Sequence, residues 1–173
     1  QYARLNEIRI LGSVDYHSDT DPEIDKENAD YVDTFPPHCL KNDPGQEKIM
    51  ETRSDLTSWV NPITYPQEEI DSIIEAKGPI IFRKTQLSAF SNPNLLPIVE
   101  EIHPQKIVIY GVAIDFCVRT AIEGFLEQDK NYELYLVIDA IEGIDEEKSK
   151  SYISQWVEKG VKTVTTERIL QGI

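Results

Sequence analysis

What the sequence has little of narrows it first. Two cysteines among 173 residues cannot build a disulfide framework, so the small secreted scaffolds that depend on one are excluded. A reducing cytoplasm is the expected compartment. Long apolar runs are missing. The longest, such as "KIVIYGVAI" at 106–114, fall far short of a bilayer span. The stretch "QYARLNEIRI" has no basic segment leading into an apolar one, so no secretory signal is read there. Positive charge is scarce: 17 Lys and Arg stand against 31 Asp and Glu, a net −14. Nucleic acid and anionic membrane both require a cationic face, so neither is expected as a partner. By itself the acidic surplus serves solubility. No internal repeat, low-complexity tract or Pro/Gly-rich linker stands out, and the length suits one domain with a good-sized core.

What is there reads as strands alternating with helices. "EIRILGSVDYH" (7–17) is an apolar strand ending in polar residues. From there to about 65 the chain is irregular and rich in Asp, Pro and Asn; a stretch of that length inside a compact domain is a functional loop or a disordered one. "YPQEEIDSIIEAKG" (65–78) has a proline start, an early acidic pair and a closing glycine, the end signals of a helix. "PIIFRK" (79–84) is a short buried strand, "NPNLLPIVEEIHP" (92–104) a helix, "KIVIYGV" (106–112) a continuous apolar strand and "CVRTAIEGFLEQ" (117–128) a helix. Strand 132–141, helix 145–160 and strand 161–166 complete the pattern. Such alternation predicts an α/β fold: a three-layer sandwich with a mostly parallel, doubly wound sheet. In such sheets ligands bind beyond the carboxyl ends of the strands. That rule selects Asp15 and His17 after the first strand, Lys84 after the second, and Gly111 to Cys117 after the third.

Cys117 is by type a small buried hydrophobe. By position it is more: it opens a helix just past a strand end. There the dipole and N–H groups can stabilise a thiolate or hold an oxyanion. Lys84, otherwise an ordinary surface charge, could lower the thiol pKa if it lay nearby. Asp15 and His17 stand two apart and point the same way on an extended segment. "TFPPHC" brings His38 on a proline-braced approach. An aspartate and two histidines with a carboxylate to spare suit a first-row divalent ion such as Zn, Fe or Mn. D-x-H is common by chance, but two of the chain's three histidines lie in this loop. His103, before Pro104 at a helix end, reads as surface structure.

These segments carry a resemblance. "VDYH", "FPPHC" followed by "PGQE", "FRKTQLSAF" and "GVAIDFCV" occur in the order seen in the nicotinamidase/pyrazinamidase branch of the isochorismatase-like cysteine hydrolases. Together with the strand–helix–strand that follows, they cover most of the chain as a single domain, 1–173, with a metal and substrate loop at about 15–65. The resemblance implies that Cys117 is the nucleophile and Lys84 the triad lysine. It implies that Asp15, His17 and His38 bind one divalent metal, zinc first, which holds the ring nitrogen of nicotinamide. It implies a cis peptide at Val112–Ala113 that aims the Ala113 N–H, with that of Cys117, at the substrate oxygen. Phe35 and Val112 would contact substrate. For a fourth metal ligand Glu23 is the candidate by spacing, with Asp21, Asp30 and Asp33 competing. The implied activity is deamidation of nicotinamide to nicotinate through a cysteine thioester, a step in NAD salvage.

The resemblance has gaps. The family's catalytic aspartate lies in an Asp-x-Gln-x-Asp-Phe segment at the end of a central strand, and no such segment occurs here. "QYARLNEIRI" reads as the tail of a helix running into the next strand, so the sequence is expected to be N-terminally incomplete; loss of the base in an inactive protein is the alternative. Ile114 stands where Thr or Ser is common. Rival readings are another small-amide hydrolase of the superfamily, an inactive metal-binding homologue, and a plain α/β domain whose Cys117 is core. Isochorismatase-type members lack the cysteine, and metal-free amidases lack the metal residues. Homo-oligomers are frequent among enzymes of this size and class, though the sequence marks no interface.

Overall fold

The computed structural model describes residues 2–128 and 131–173. They fall into two compact units, Gln1–Ile102 and His103–Ile173. Each contains a three-stranded sheet whose pairings are all parallel. The α/β class with parallel sheets is as the alternation of strands and helices predicts.

In the first unit, α1 (Tyr2–Leu5) precedes β1 (Leu11–Asp15), and the sheet runs in the order β1–β3–β2, with β2 at Ser58–Val60 and β3 at Ile80–Lys84. β3 is the middle strand. Its apolar Ile80, Ile81 and Phe82 are buried, as a parallel strand between two neighbours requires. The first strand is shorter than expected. Glu7 adopts a positive φ of 54°, which breaks extension, and the Arg9 side chain donates to the carbonyls of Ala76 and Ile74. β2 is not visible in the sequence pattern. It is three residues long and is tied to β3 by Asn92, whose buried Nδ2 donates to Val60 O at 3.1 Å and Arg83 O at 2.9 Å. Two helices, α2 (Gln67–Glu75) and α3 (Leu95–Ile102), turn Ile70 and then Leu95, Ile98 and Val99 inward. On the opposite face of β3 from Lys84, the Arg83 guanidinium lies 4.2 Å from the Tyr16 ring centroid and 4.9 Å from that of Trp59. Its Nη1 donates to Asn61 Oδ1 at 2.9 Å.

In the second unit the order is β4–β5–β6, with β4 at Lys106–Val112, β5 at Glu133–Glu142 and β6 at Lys162–Val164. Helices α4 (Cys117–Glu127), α5 (Glu146–Glu158) and α6 (Thr166–Leu170) accompany them. One core joins Ile114, Val118 and Ile122 to Leu134, Leu136, Trp156 and Val161. Trp156 is its largest member and stacks on Tyr152 with ring centroids 5.8 Å apart. Trp156→Ala is expected to cost about 3–5 kcal/mol through lost burial and the cavity left behind. Urea denaturation followed by circular dichroism reads this as a lowered midpoint with an unchanged slope. Among the described residues no helix is long and apolar enough to cross a membrane.

Candidate active site

In the first unit a candidate group grows from the end of β1. Parallel pairing sets Asp15 opposite Lys84, and the pairing continues one step as Tyr16 N–H donates to Lys84 O at 2.8 Å. The strand then gives way to a loop stitched back onto itself. His17 N–H donates to Cys39 O at 3.2 Å and Lys41 N–H to His17 O at 2.8 Å. This brings the segment after the two prolines alongside the segment after β1. The His17 and His38 ring centroids are 4.7 Å apart.

Asp15, His17 and His38 each offer one ligand atom, all within 4.8 Å of one another. His17 is fully buried. Among the described residues neither of its ring nitrogens has a hydrogen-bond partner. Its Nε2 lies 3.7 Å from Asp15 Oδ1 and 3.9 Å from Glu23 Oε1, and its Nδ1 lies 3.4 Å from Asp21 Oδ2; none of these contacts has hydrogen-bond geometry. A buried imidazole that makes no hydrogen bond yet is ringed by carboxylates at 3.4–3.9 Å is what a cation site looks like to its ligands. His38 is oriented differently. Its Nδ1 is 2.8 Å from Pro36 O. A carbonyl can only accept, so Nδ1 carries the proton and Nε2 is left as the ligating nitrogen. The donor set fits a divalent first-row ion.

The electrostatics follow from this crowding. Burial would raise the Asp15 carboxyl, but the His17 ring and the Lys84 ammonium outweigh it and bring its pKa down to about 2. Burial works against protonation of His17, yet Asp15, Glu23 and Asp21 raise its pKa above the usual value. Glu23 is pushed up by its own burial, with Lys84 and His17 opposing. Lys84 itself is buried. It donates to the Asp15 carboxylate and, at 3.1 Å, to Gln86 O.

Phe35 and Glu23 hold each other in place. Phe35 N–H donates to Glu23 O at 2.8 Å, and Asp25 N–H to Phe35 O at 2.9 Å. The Phe35 ring stands edge-on to His38 with centroids 6.1 Å apart. Glu23 thus lies beside His17, outside the three-residue group. Of its competitors, Asp21 also faces His17. Asp30 instead caps the turn that leads to Phe35, accepting N–H groups from Val32, Asp33 and Thr34 at 2.9–3.0 Å. Those donors hold its carboxyl far below the ordinary range. A carboxyl depressed in the folded state stabilises above its unfolded pKa, and loses that effect only as pH falls through the folded value. An NMR titration of Asp30 is therefore expected to show no transition between about pH 5 and pH 3, where a free aspartate titrates. Asp33 is exposed.

In the second unit a separate candidate group lies at the end of β4. Gly111 has φ 129°, open only to glycine without strain, and sits where the β4–β5 register shifts. The Val112–Ala113 peptide is cis. Ile114 N–H donates to Glu142 O at 2.9 Å, and Phe116 and Val118 N–H both donate to Ala113 O, at 3.1 and 3.0 Å. The turn is thereby closed, and Cys117 is the first residue of α4. Cys117 is half-buried and the Val112 side chain is exposed. Neither cysteine is in a disulfide.

Two features escaped sequence reading. Nothing in "VDYH" signals that Tyr16 and Arg83 stack, and Asp115 carries no sign of its partners beyond being an acid in an apolar stretch.

The family model described as the isochorismatase domain matches residues 1–168. None of the curated proteins matches the sequence significantly. Among solved structures, the pyrazinamidase of Pyrococcus horikoshii in complex with zinc is similar at 24% identity and a TM-score of 0.64, covering 94% of this chain and 78% of that one. N-carbamoylsarcosine amidase from Thermoplasma acidophilum is similar at 23% identity and 0.67, covering 94% and 75%. An Acinetobacter baumanii nicotinamidase/pyrazinamidase is similar at 16% identity and 0.69, covering 97% and 84%.

Proposed function

The chain belongs to the isochorismatase family of hydrolases, and within that family we propose that it hydrolyses the carboxamide of nicotinamide to nicotinate and ammonia. The observation that carries this reading is the Asp15–His17–His38 group, with both nitrogens of a buried His17 lacking hydrogen-bond partners. A small-amide hydrolase that worked without a metal would have no use for such an arrangement. Those three residues would hold the ion, zinc first, with Glu23 as the fourth ligand. When bound, it would supply a Lewis-acid contact for a pyridine nitrogen. Phe35, edge-on to His38, would set one wall for the ring.

The chemistry is assigned to Cys117. Its thiol gives up a proton to a general base, and Lys84 is assigned as the triad lysine that the resemblance implies; no residue of this sequence matches the family's segment for that base. Sulfur attacks the carboxamide carbon, and the oxyanion is held by the Ala113 and Cys117 N–H groups. The amide nitrogen takes the proton back and leaves as ammonia. Water then cleaves the thioester and frees the acid and the thiol. The overall change is amide plus water to acid plus ammonia.

The test is ammonia release from nicotinamide by the metal-loaded chain, with and without a chelator. Release that the chelator stops supports the proposal. Release from an N-carbamoyl amino acid but not from nicotinamide would favour another small-amide hydrolase of the family. Bound metal without release from either would favour an inactive metal-binding homologue.

A further inference from the structure

Asp115 is buried, two residues before Cys117, and the mechanism above gives it nothing to do. Its carboxylate does not point outward. Oδ1 accepts the Ile144 N–H at 3.1 Å and Oδ2 accepts the Asp145 N–H at 2.9 Å. Both donors belong to the junction between β5 and α5, where Asp145 is the N-cap and its own side chain accepts from Lys148 N–H at 3.0 Å. The neighbouring residue adds a backbone bond, Ile114 N–H to Glu142 O at 2.9 Å. Packing closes the same spot: a Cβ on Gly143 would come within 2.1 Å of Ser149 Oγ and 2.5 Å of Ile114 Cγ2. So the short turn that carries Cys117 is fastened on one side to the start of a second helix. Both carboxylate oxygens take part.

We infer that Asp115 is a positioning residue: by accepting the Ile144 and Asp145 N–H groups, its carboxylate fixes the turn that presents Cys117 at the start of α4. This rests on reading Cys117 as the nucleophile. A fixed turn keeps the sulfur and the neighbouring N–H donors in one geometry. Misplacement by about 1 Å at a reacting atom can cost roughly a hundredfold in rate.

The test compares full-length wild type with Asp115→Asn, Asp115→Ala and Asp145→Ala. Asp115→Asn keeps one acceptor and turns the other into a donor facing an N–H. Asp145→Ala removes the α5 cap but leaves its backbone N–H, and so controls for helix stability alone. Iodoacetamide alkylation well below the melting temperature is read by mass spectrometry as the ratio of Cys117 to Cys39 labelling. The expected result has four parts. Cys117 outpaces Cys39 in wild type. The ratio falls about tenfold in Asp115→Ala. It falls less in Asp115→Asn, which rescues in part. It is unchanged in Asp145→Ala even though its melting temperature drops. Where nicotinamide is hydrolysed, kcat falls in the two Asp115 variants with KM within about twofold, since substrate binding is untouched. Should Asp115→Ala fail to fold, the Asn variant decides. The inference is overturned if the ratio is unchanged or higher in the Asp115 variants, if Asp145→Ala lowers it as much, or if wild-type Cys117 is no more reactive than Cys39. A chain that does not touch nicotinamide but shows the alkylation pattern would end the proposed function and leave this inference standing.

Discussion

Cys117→Ala is expected to reduce ammonia release from nicotinamide by on the order of 10⁴ or more, with the metal content of the protein unchanged. The size follows from what is removed. Without sulfur no thioester forms, and what remains is water attacking an oriented amide, helped only by N–H donors. The selectivity follows from the structure. The group that would hold the ion is Asp15, His17 and His38, and Cys117 is not in it. The side chain lost is small and half-buried, so folding should suffer little. Metal analysis beside an ammonia assay reads both halves. Full activity in the variant would remove Cys117 from the mechanism.

The second large effect concerns His17. A buried imidazole whose two nitrogens lack hydrogen-bond partners among the described residues is a poor fit without an ion and a good one with it. In wild type, an ion held at 100 to 1,000 times its Kd stabilises the chain by about 3–4 kcal/mol, so a chelator is expected to lower Tm by about 10 °C. His17→Leu keeps the volume and removes both nitrogens. It should abolish retained metal and make Tm insensitive to chelator. A His17→Leu chain that still binds metal and still responds to chelator would refute the ligand assignment. A drop in stability equal with and without metal would make His17 a plain core residue.

Much of the fold is legible because its signals are local. "PIIFRK" and "KIVIYGV" are apolar runs too short for helices, and they are β3 and β4. Gln67–Glu75 carries its acidic first turn and begins within a residue of where the proline places it. The signals fail where structure depends on distant partners. β2 exists because Asn92 and β3 hold it. α6 is five residues long, capped by Thr165, and merges with a stretch that reads as strand. The site divides the same way. Asp15, His17 and His38 could be singled out by residue type and by their place after a strand, and the structure gathers them. The cis peptide at Val112–Ala113 is implied by resemblance alone and is present. Spacing alone sets Glu23 against three competitors, and only the folded loop puts Glu23 and Asp21 beside His17. The partners of Asp115 lie 29 and 30 residues away, a separation at which no periodicity speaks.

The chain holds two tryptophans, one in each compact unit. Trp156 is 1% exposed in an apolar core, while Trp59 is 39% exposed beside the Arg83 guanidinium. The molecule therefore carries its own pair of optical reporters in contrasting surroundings. The first would emit towards the blue and the second towards the red. Trp59→Phe leaves a chain whose fluorescence follows the half bearing the cysteine turn; Trp156→Phe leaves one that follows the half bearing the histidine loop. Superimposable denaturation curves from the two would mean that both halves melt as a single cooperative body.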